Sequence, residues 1–204
     1  MTYFIFGITY AFAAAVQPGP FQAFLISQTF SKGWRSTLPA SFAPILSDIP
    51  IVTLILLILS NVPDKMVYIL QMVGGLFLLY LAYGAYKNWK TFDEKQLVQK
   101  SSGKQTLFKA AIVNLLNPHP YIGWSLIMGP MFIEGWRIAP INGLALVIGF
   151  YATLTMCTAG IIILFAVARN LGPKVSKITI GISALALGGF GIYQIYMGMN
   201  RFFF

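Results

Sequence analysis

Gln17-Pro18-Gly19-Pro20 interrupts an apolar stretch that carries no charge from Thr2 to Ser31. A bilayer core needs about 20 apolar residues in one helix, and this stretch is long enough. Proline lacks an N–H and clashes with the preceding turn, so an ordinary helix does not pass through two prolines around a glycine. The interruption returns one hundred positions later as Asn117-Pro118-His119-Pro120, again inside an apolar run. The chain is read as organised around two helices broken at mid-membrane.

Composition supports a membrane reading. The chain has 204 residues, of which 57% are hydrophobic and 9% charged, and its mean hydropathy is +0.75. A soluble domain carries about 25% charged residues. The few charges here are clustered and leave long uncharged gaps, which marks an all-α polytopic membrane protein. In a soluble protein a net charge of +9 would point to nucleic acid; here it reports orientation, and no nucleic-acid partner is expected. Cys157 is the single cysteine, which excludes an intrachain disulfide and a cysteine-cluster metal site. Ala13-Ala14-Ala15 imitates a signal-peptide cleavage site, but no Lys or Arg precedes the apolar stretch, so its retention is expected.

Charge-free runs lie near 3–30, 66–86, 110–133, 138–168 and 178–200, and the run near 37–60 is interrupted by Asp48 alone. Six transmembrane helices follow, with helices one and four broken. The connections near 31–36, 87–109 and 169–177 hold most of the Lys and Arg; the opposite side holds only Lys65, Arg137 and Arg201. Cytoplasmic loops concentrate these residues, so the basic loops are placed inside and both termini outside. The chain is expected to form one membrane domain over 1–204. Its parts are a first three-helix repeat over 1–86, a basic cytoplasmic loop over 87–107 and a second three-helix repeat over 108–204. Three is odd, so the halves enter the bilayer from opposite sides, giving the 3+3 inverted repeat common among transporters.

The midpoints of spans one, two and four fall near Gln17, Asp48 and Pro120. Backbone left unpaired in hydrocarbon costs several kcal/mol per group, so broken helices face protein or a watery cavity. Proline suits the first position of a helix, so Pro20 and Pro120 are expected to start half-helices whose free N–H groups attract an anion. Gly19 permits close backbone approach. Gln17, Asn114 and Asn117 add side-chain donors and acceptors. The candidate cargo site is therefore Gln17, Pro18, Gly19, Pro20, Asn114, Asn117, Pro118, His119 and Pro120.

Asp48 is the only acid inside any span. Placing a charge at mid-bilayer costs about 2.5–3.5 kcal/mol on insertion scales, so such a residue marks function. A carboxyl that gains and loses a proton as access alternates is a coupling device; it can equally neutralise an amino group on the cargo. His119, the only histidine, titrates near the physiological range and serves either as a proton relay with Asp48 or as a hydrogen-bonded filler. One His and one buried acid do not make a three-ligand zinc site, so no metal and no cofactor is expected. The glycines of spans three and six read as close helix packing and permit a homodimer.

Pro18-Gly19-Pro20, Asp48 and Asn114-Leu115-Leu116-Asn117-Pro118 together resemble the signature of the lysine-exporter (LysE-type) translocators. Gly74-Gly75-Leu76-Phe77-Leu78-Leu79-Tyr80-Leu81 is similar to that family's third span. The resemblance implies export of amino acids or related small solutes, driven by a proton or ion gradient, across a bacterial plasma membrane. Two positions depart from the pattern. Ser47 stands where amino-acid exporters often have glycine, and His119-Pro120 stands where they often have lysine and alanine. The expected function is a proton-coupled, alternating-access exporter of a small solute, with the bilayer, the solute and the coupling ion as its partners. The alternative is efflux of a hard cation on Asp48 and freed carbonyls. An intramembrane enzyme built on Ser47, Asp48 and His119 lacks a metalloprotease helix, and no catalytic residue is assigned.

Overall fold

The computed structural model describes residues 1–58, 64–91 and 102–203, and their regular structure is helical throughout. The basic loop expected over 87–107 is helical at both ends, in Asp64–Lys90 and Gly103–Leu115, and its residues 92–101 lie outside the described residues; of the turn expected near 61–65, residues 61–63 lie outside them and 64–65 are helical.

The first apolar run forms α1 (Thr2–Val16) and α2 (Pro20–Lys32), which meet at an angle of 64°. Gly33 then reverses the chain at a φ of 83°, a left-handed conformation that glycine adopts without a Cβ clash. The loop expected near 31–36 thus shrinks to one residue, because Trp34 is already helical. α3 (Trp34–Thr37), a 3-10 turn (Leu38–Phe42) and α4 (Ala43–Ile58) follow end to end. Next come α5 (Asp64–Lys90), α6 (Gly103–Leu115), α7 (Pro118–Gly123), a π-helical turn (Trp124–Met128) and α8 (Gly129–Ile138). Two long helices, α9 (Pro140–Arg169) and α10 (Pro173–Phe203), complete the chain.

Among the described residues, three continuous helical stretches are long and apolar enough to cross a membrane: Trp34–Leu57, Pro140–Arg169 and Pro173–Asn200. The bent α1–α2 pair makes a fourth. The chain is a multi-pass membrane protein. Its outward faces carry large apolar side chains, such as Leu57 and Leu185, each 78% exposed. Soluble surfaces rarely expose such contiguous patches, and here acyl chains are their solvent.

Two buried clusters hold the helices together. One gathers Phe21, Phe24 and Leu25 of α2 with Leu78 and Leu81 of α5, Val113 of α6 and Leu187 of α10. The other gathers Ala11 of α1, Ile51 of α4, Trp124 and Met128 of the π-helical turn, and Leu146 and Phe150 of α9. Small residues set the crossings, as expected in lipid, where close approach replaces the hydrophobic drive. A Cβ on Gly149 would meet the Phe4 carbonyl at 2.7 Å, where α9 crosses α1. One on Gly75 would meet the Gly191 carbonyl at 2.6 Å, where α5 crosses α10. Gly75 and Gly191 therefore pack within the chain, whereas Gly84 and Gly189 face open space.

Candidate functional site

The two breaks are built alike. In the first, Pro20 opens α2 behind an extended Gly19. The carbonyls at the end of α1 lose their helical partners, and the Gln22 side chain turns back to donate to the Ala15 carbonyl at 3.0 Å. In the second, Asn117 caps α7, its Oδ1 accepting the His119 N–H at 3.2 Å. The Tyr121 hydroxyl turns back to donate to the Leu115 carbonyl at 2.9 Å. Each break thus satisfies a freed carbonyl with a side chain from the next helix, as unpaired backbone away from water requires. Pro118, not Pro120, starts the second half-helix, because the Asn117 cap sets the first turn two residues earlier. Pro120 sits within that turn, where its missing N–H has no helical partner to lose.

Between the breaks lies a cavity of about 220 Å³. Gln17, Pro18, Gly19, Pro20, Asn114, Asn117, His119, Pro120 and Asp48 all line it. Of the nine expected cargo residues only Pro118 is missing from the wall; it is buried behind it. No metal-competent group of three His, Cys, Asp or Glu side chains occurs among the described residues.

Asp48 is 3% exposed and belongs to α4, which runs unbroken past it despite Pro50. Pro44 and Pro50 therefore leave no gap beside the acid; the irregular turn comes earlier, at Leu38–Phe42. Asn114 Nδ2 donates to Asp48 Oδ1 at 2.9 Å and to Ser47 Oγ at 2.7 Å. The Tyr151 hydroxyl donates to Asp48 Oδ2 at 3.1 Å. Both carboxylate oxygens are held by neutral donors, and no cation among the described residues pairs with them. His119 does not join this network. Its Nδ1 lies 2.8 Å from Asn117 Oδ1, which makes it the donor in the tautomer that carries the proton there.

Tyr151 escaped the sequence reading, because a tyrosine in an apolar helix reads as interfacial packing. Its signal was helical spacing: Tyr151, Leu154 and Thr158 fall on one stripe of α9 facing the site. Thr158 reaches the cavity, whereas Thr153, Thr155 and Cys157 on the same helix do not line it. Aromatic side chains complete the wall. Trp124 packs edge-on to Phe150 with ring centroids 6.2 Å apart and stacks on Tyr151 at 6.4 Å. Trp124 is 2% exposed, and its indole N–H beside Asp48 closes no hydrogen bond of standard geometry. The π-helical turn that begins at Trp124 widens the helix there; such bulges recur at functional sites.

A second cavity, of about 440 Å³, opens on the other side of Asp48 between α4, α8 and α9. Asp48 and Trp124 line both cavities, and Tyr151 lines the second.

A family model described as LysE type translocator matches residues 12–198. No curated protein and no solved structure matches the chain.

Proposed function

Because the chain belongs to the LysE type translocator family, we propose that it is a proton-coupled secondary exporter of a small amino- or carboxyl-bearing solute. An amino acid or a related metabolite is the cargo in this reading. Family membership implies membrane export of small solutes; the coupling ion and the cargo class are the proposal. The observation that carries it is Asp48: one acid, 3% exposed, held by neutral donors and open to a cavity between two broken helices. An ionised carboxyl there is costly, so protonation and deprotonation change the state of the site strongly. Gln17, Asn114, Asn117 and the backbone at the two breaks hold the cargo. His119 extends the polar wall through its bond to Asn117.

Alternating access rocks one three-helix half against the other. The packing supports this plan. Exchanging segment one with four, two with five and three with six turns the α1–α9 contact into the α6–α4 contact. The same exchange maps the α5–α10 contact onto itself. The basic connections face the cytoplasm, and both termini face outward, in a bacterial plasma membrane. Homodimerisation belongs to the same plan, with Gly84 and Gly189 as the open small residues.

The test is transport in vesicles reconstituted with purified protein and a defined pH gradient, preceded by a thermal-shift screen of amino acids, organic acids and divalent cations. Asp48→Asn should insert normally and abolish gradient-driven movement of the solute found. Undiminished transport by that variant would remove the coupling role. Stabilisation by divalent cations alone would replace the organic cargo with a metal ion.

A further inference from the structure

α5 and α10 run antiparallel, and three contacts fix their register. Gly75 lies against Gly191, Ala82 against Gly188 and Trp89 against Gly181. At the first, backbone meets backbone. At the last, an indole is wedged over the glycine, with Nε1 3.0 Å from where a Cβ would stand. The helices therefore diverge toward the end of α5 and the start of α10. The divergence leaves a groove of about 600 Å³ between them, lined by Tyr83, Tyr86, Trp89, Ile182 and Leu185. Tyr86 and Trp89 pack together with ring centroids 5.8 Å apart.

Among the described residues the mouth of this groove is basic. Lys90 follows Tyr83 and Tyr86 by seven and four residues, so it continues their stripe on α5. Lys174 precedes Ile178 and Gly181 by four and seven residues and continues theirs on α10; Lys177 flanks it. All three lysines are exposed. Tyr and Trp mark the membrane–water interface, where an amphipathic ring meets headgroups, and basic side chains beyond them reach for phosphate.

We propose that this groove is a binding site for one anionic phospholipid. Its phosphate sits among Lys90, Lys174 and Lys177, and an acyl chain lies along Trp89, Ile182 and Leu185. Charge selects this occupant over a second copy of the chain. A symmetric pair meeting at this groove would bring both sets of lysines together, and like charges oppose that contact. A zwitterionic lipid fills the apolar part but leaves the lysines without a net counter-charge. The proposal concerns a surface separate from the cavity at Asp48 and stands whether or not that cavity carries cargo.

Trp89 is the reporter. The full chain and its Trp89→Phe variant are reconstituted in phosphatidylcholine vesicles containing increasing amounts of a brominated lipid, and their tryptophan emission is subtracted. Brominated phosphatidylglycerol should quench the Trp89 signal at a mole fraction at least about fivefold lower than brominated phosphatidylcholine with the same chains. High salt should narrow that gap. The Lys90→Gln/Lys174→Gln/Lys177→Gln variant should lose the preference and keep ordinary quenching. Equal quenching by the two lipids in the unaltered chain overturns the proposal, and this comparison depends on no lysine variant folding. Protection from quenching that grows with protein-to-lipid ratio assigns the groove to a second copy and overturns it too. Inorganic phosphate that erases the preference at unchanged ionic strength shows a free-anion site and does the same.

Discussion

Asp48 binds three helices into one contact: it stands on α4, Asn114 on α6 and Tyr151 on α9. Folding and chemistry can be separated at this contact. Removing one partner of a buried polar pair leaves the other unsatisfied, at about 1–3 kcal/mol, whereas replacing both by apolar groups can be nearly neutral. Asn114→Leu should therefore lower the thermal midpoint measured in detergent. Asp48→Leu/Asn114→Leu/Tyr151→Phe, which leaves no member of the contact unpaired, should recover most of the loss while remaining inactive. A triple variant less stable than the single one would mean that the acid stabilises the fold by some other contact. Tyr151→Phe keeps the ring on Trp124 and removes one bond to the carboxyl. Hydrogen bonds to charged groups are worth about 1.5–3 kcal/mol, so the initial rate of gradient-driven export should fall about ten- to hundredfold. An unchanged rate would make the Tyr151 bond incidental to transport. Asp48 and Asn114 were legible in the sequence because a charge or an amide in an apolar run is anomalous by its chemistry. Tyr151 was not, because only its partner across 103 positions gives it a role.

At the scale of elements, helices in lipid are positioned by where their backbones can approach. α9 shows both cases. Gly149 faces α1, where an added Cβ would meet the Phe4 carbonyl at 2.7 Å, and neither backbone has room to yield. Gly160 is exposed on the same helix, with nothing within 4 Å of its Cβ position. Gly149→Ala should destabilise the protein by about 1–3 kcal/mol, the usual range for overpacking. Gly160→Ala should stabilise it by about 0.5–1 kcal/mol through reduced backbone entropy. Differential scanning in detergent reads both, and no loss of stability in Gly149→Ala would show that the α1–α9 crossing is loose. The breaks follow a similar rule. Their prolines announce them in the sequence, but which proline begins the new helix depends on the cap. Asn117 accepts the His119 N–H, and that bond puts Pro118 first. The glycines of α5 and α10 were legible as packing residues, although only register distinguishes Gly191, in contact with Gly75, from the open Gly189.

For the whole molecule, the segment plan follows from one accounting of polar groups. Three continuous stretches and one bent pair satisfy the length and apolarity that crossing requires. α5 and the α6–α8 segment supply the other two passages in the proposed six. Charge-free length revealed these runs; the tight turn at Gly33 follows from a glycine in the left-handed region capping α2, whereas no residue pattern announces the π-helical turn at Trp124. An even number of passages puts both ends of the chain on one side, and three passages before α6, as in the proposed repeat, put its start on the other. Lys and Arg near the connections then set which side is which. Cys157 is the only cysteine, so a Cys157→Ser chain gives a clean background for single replacements at exposed positions. In intact cells, Thr2→Cys and Asn200→Cys should both react with a membrane-impermeant maleimide. Ser102→Cys, just before α6, should react only after the membrane is opened. Opposite labelling of the two terminal positions would require an odd number of passages and remove the inverted repeat. Labelling of Ser102→Cys alone in intact cells would keep the repeat and invert the orientation, placing the basic connections outside against the charge rule.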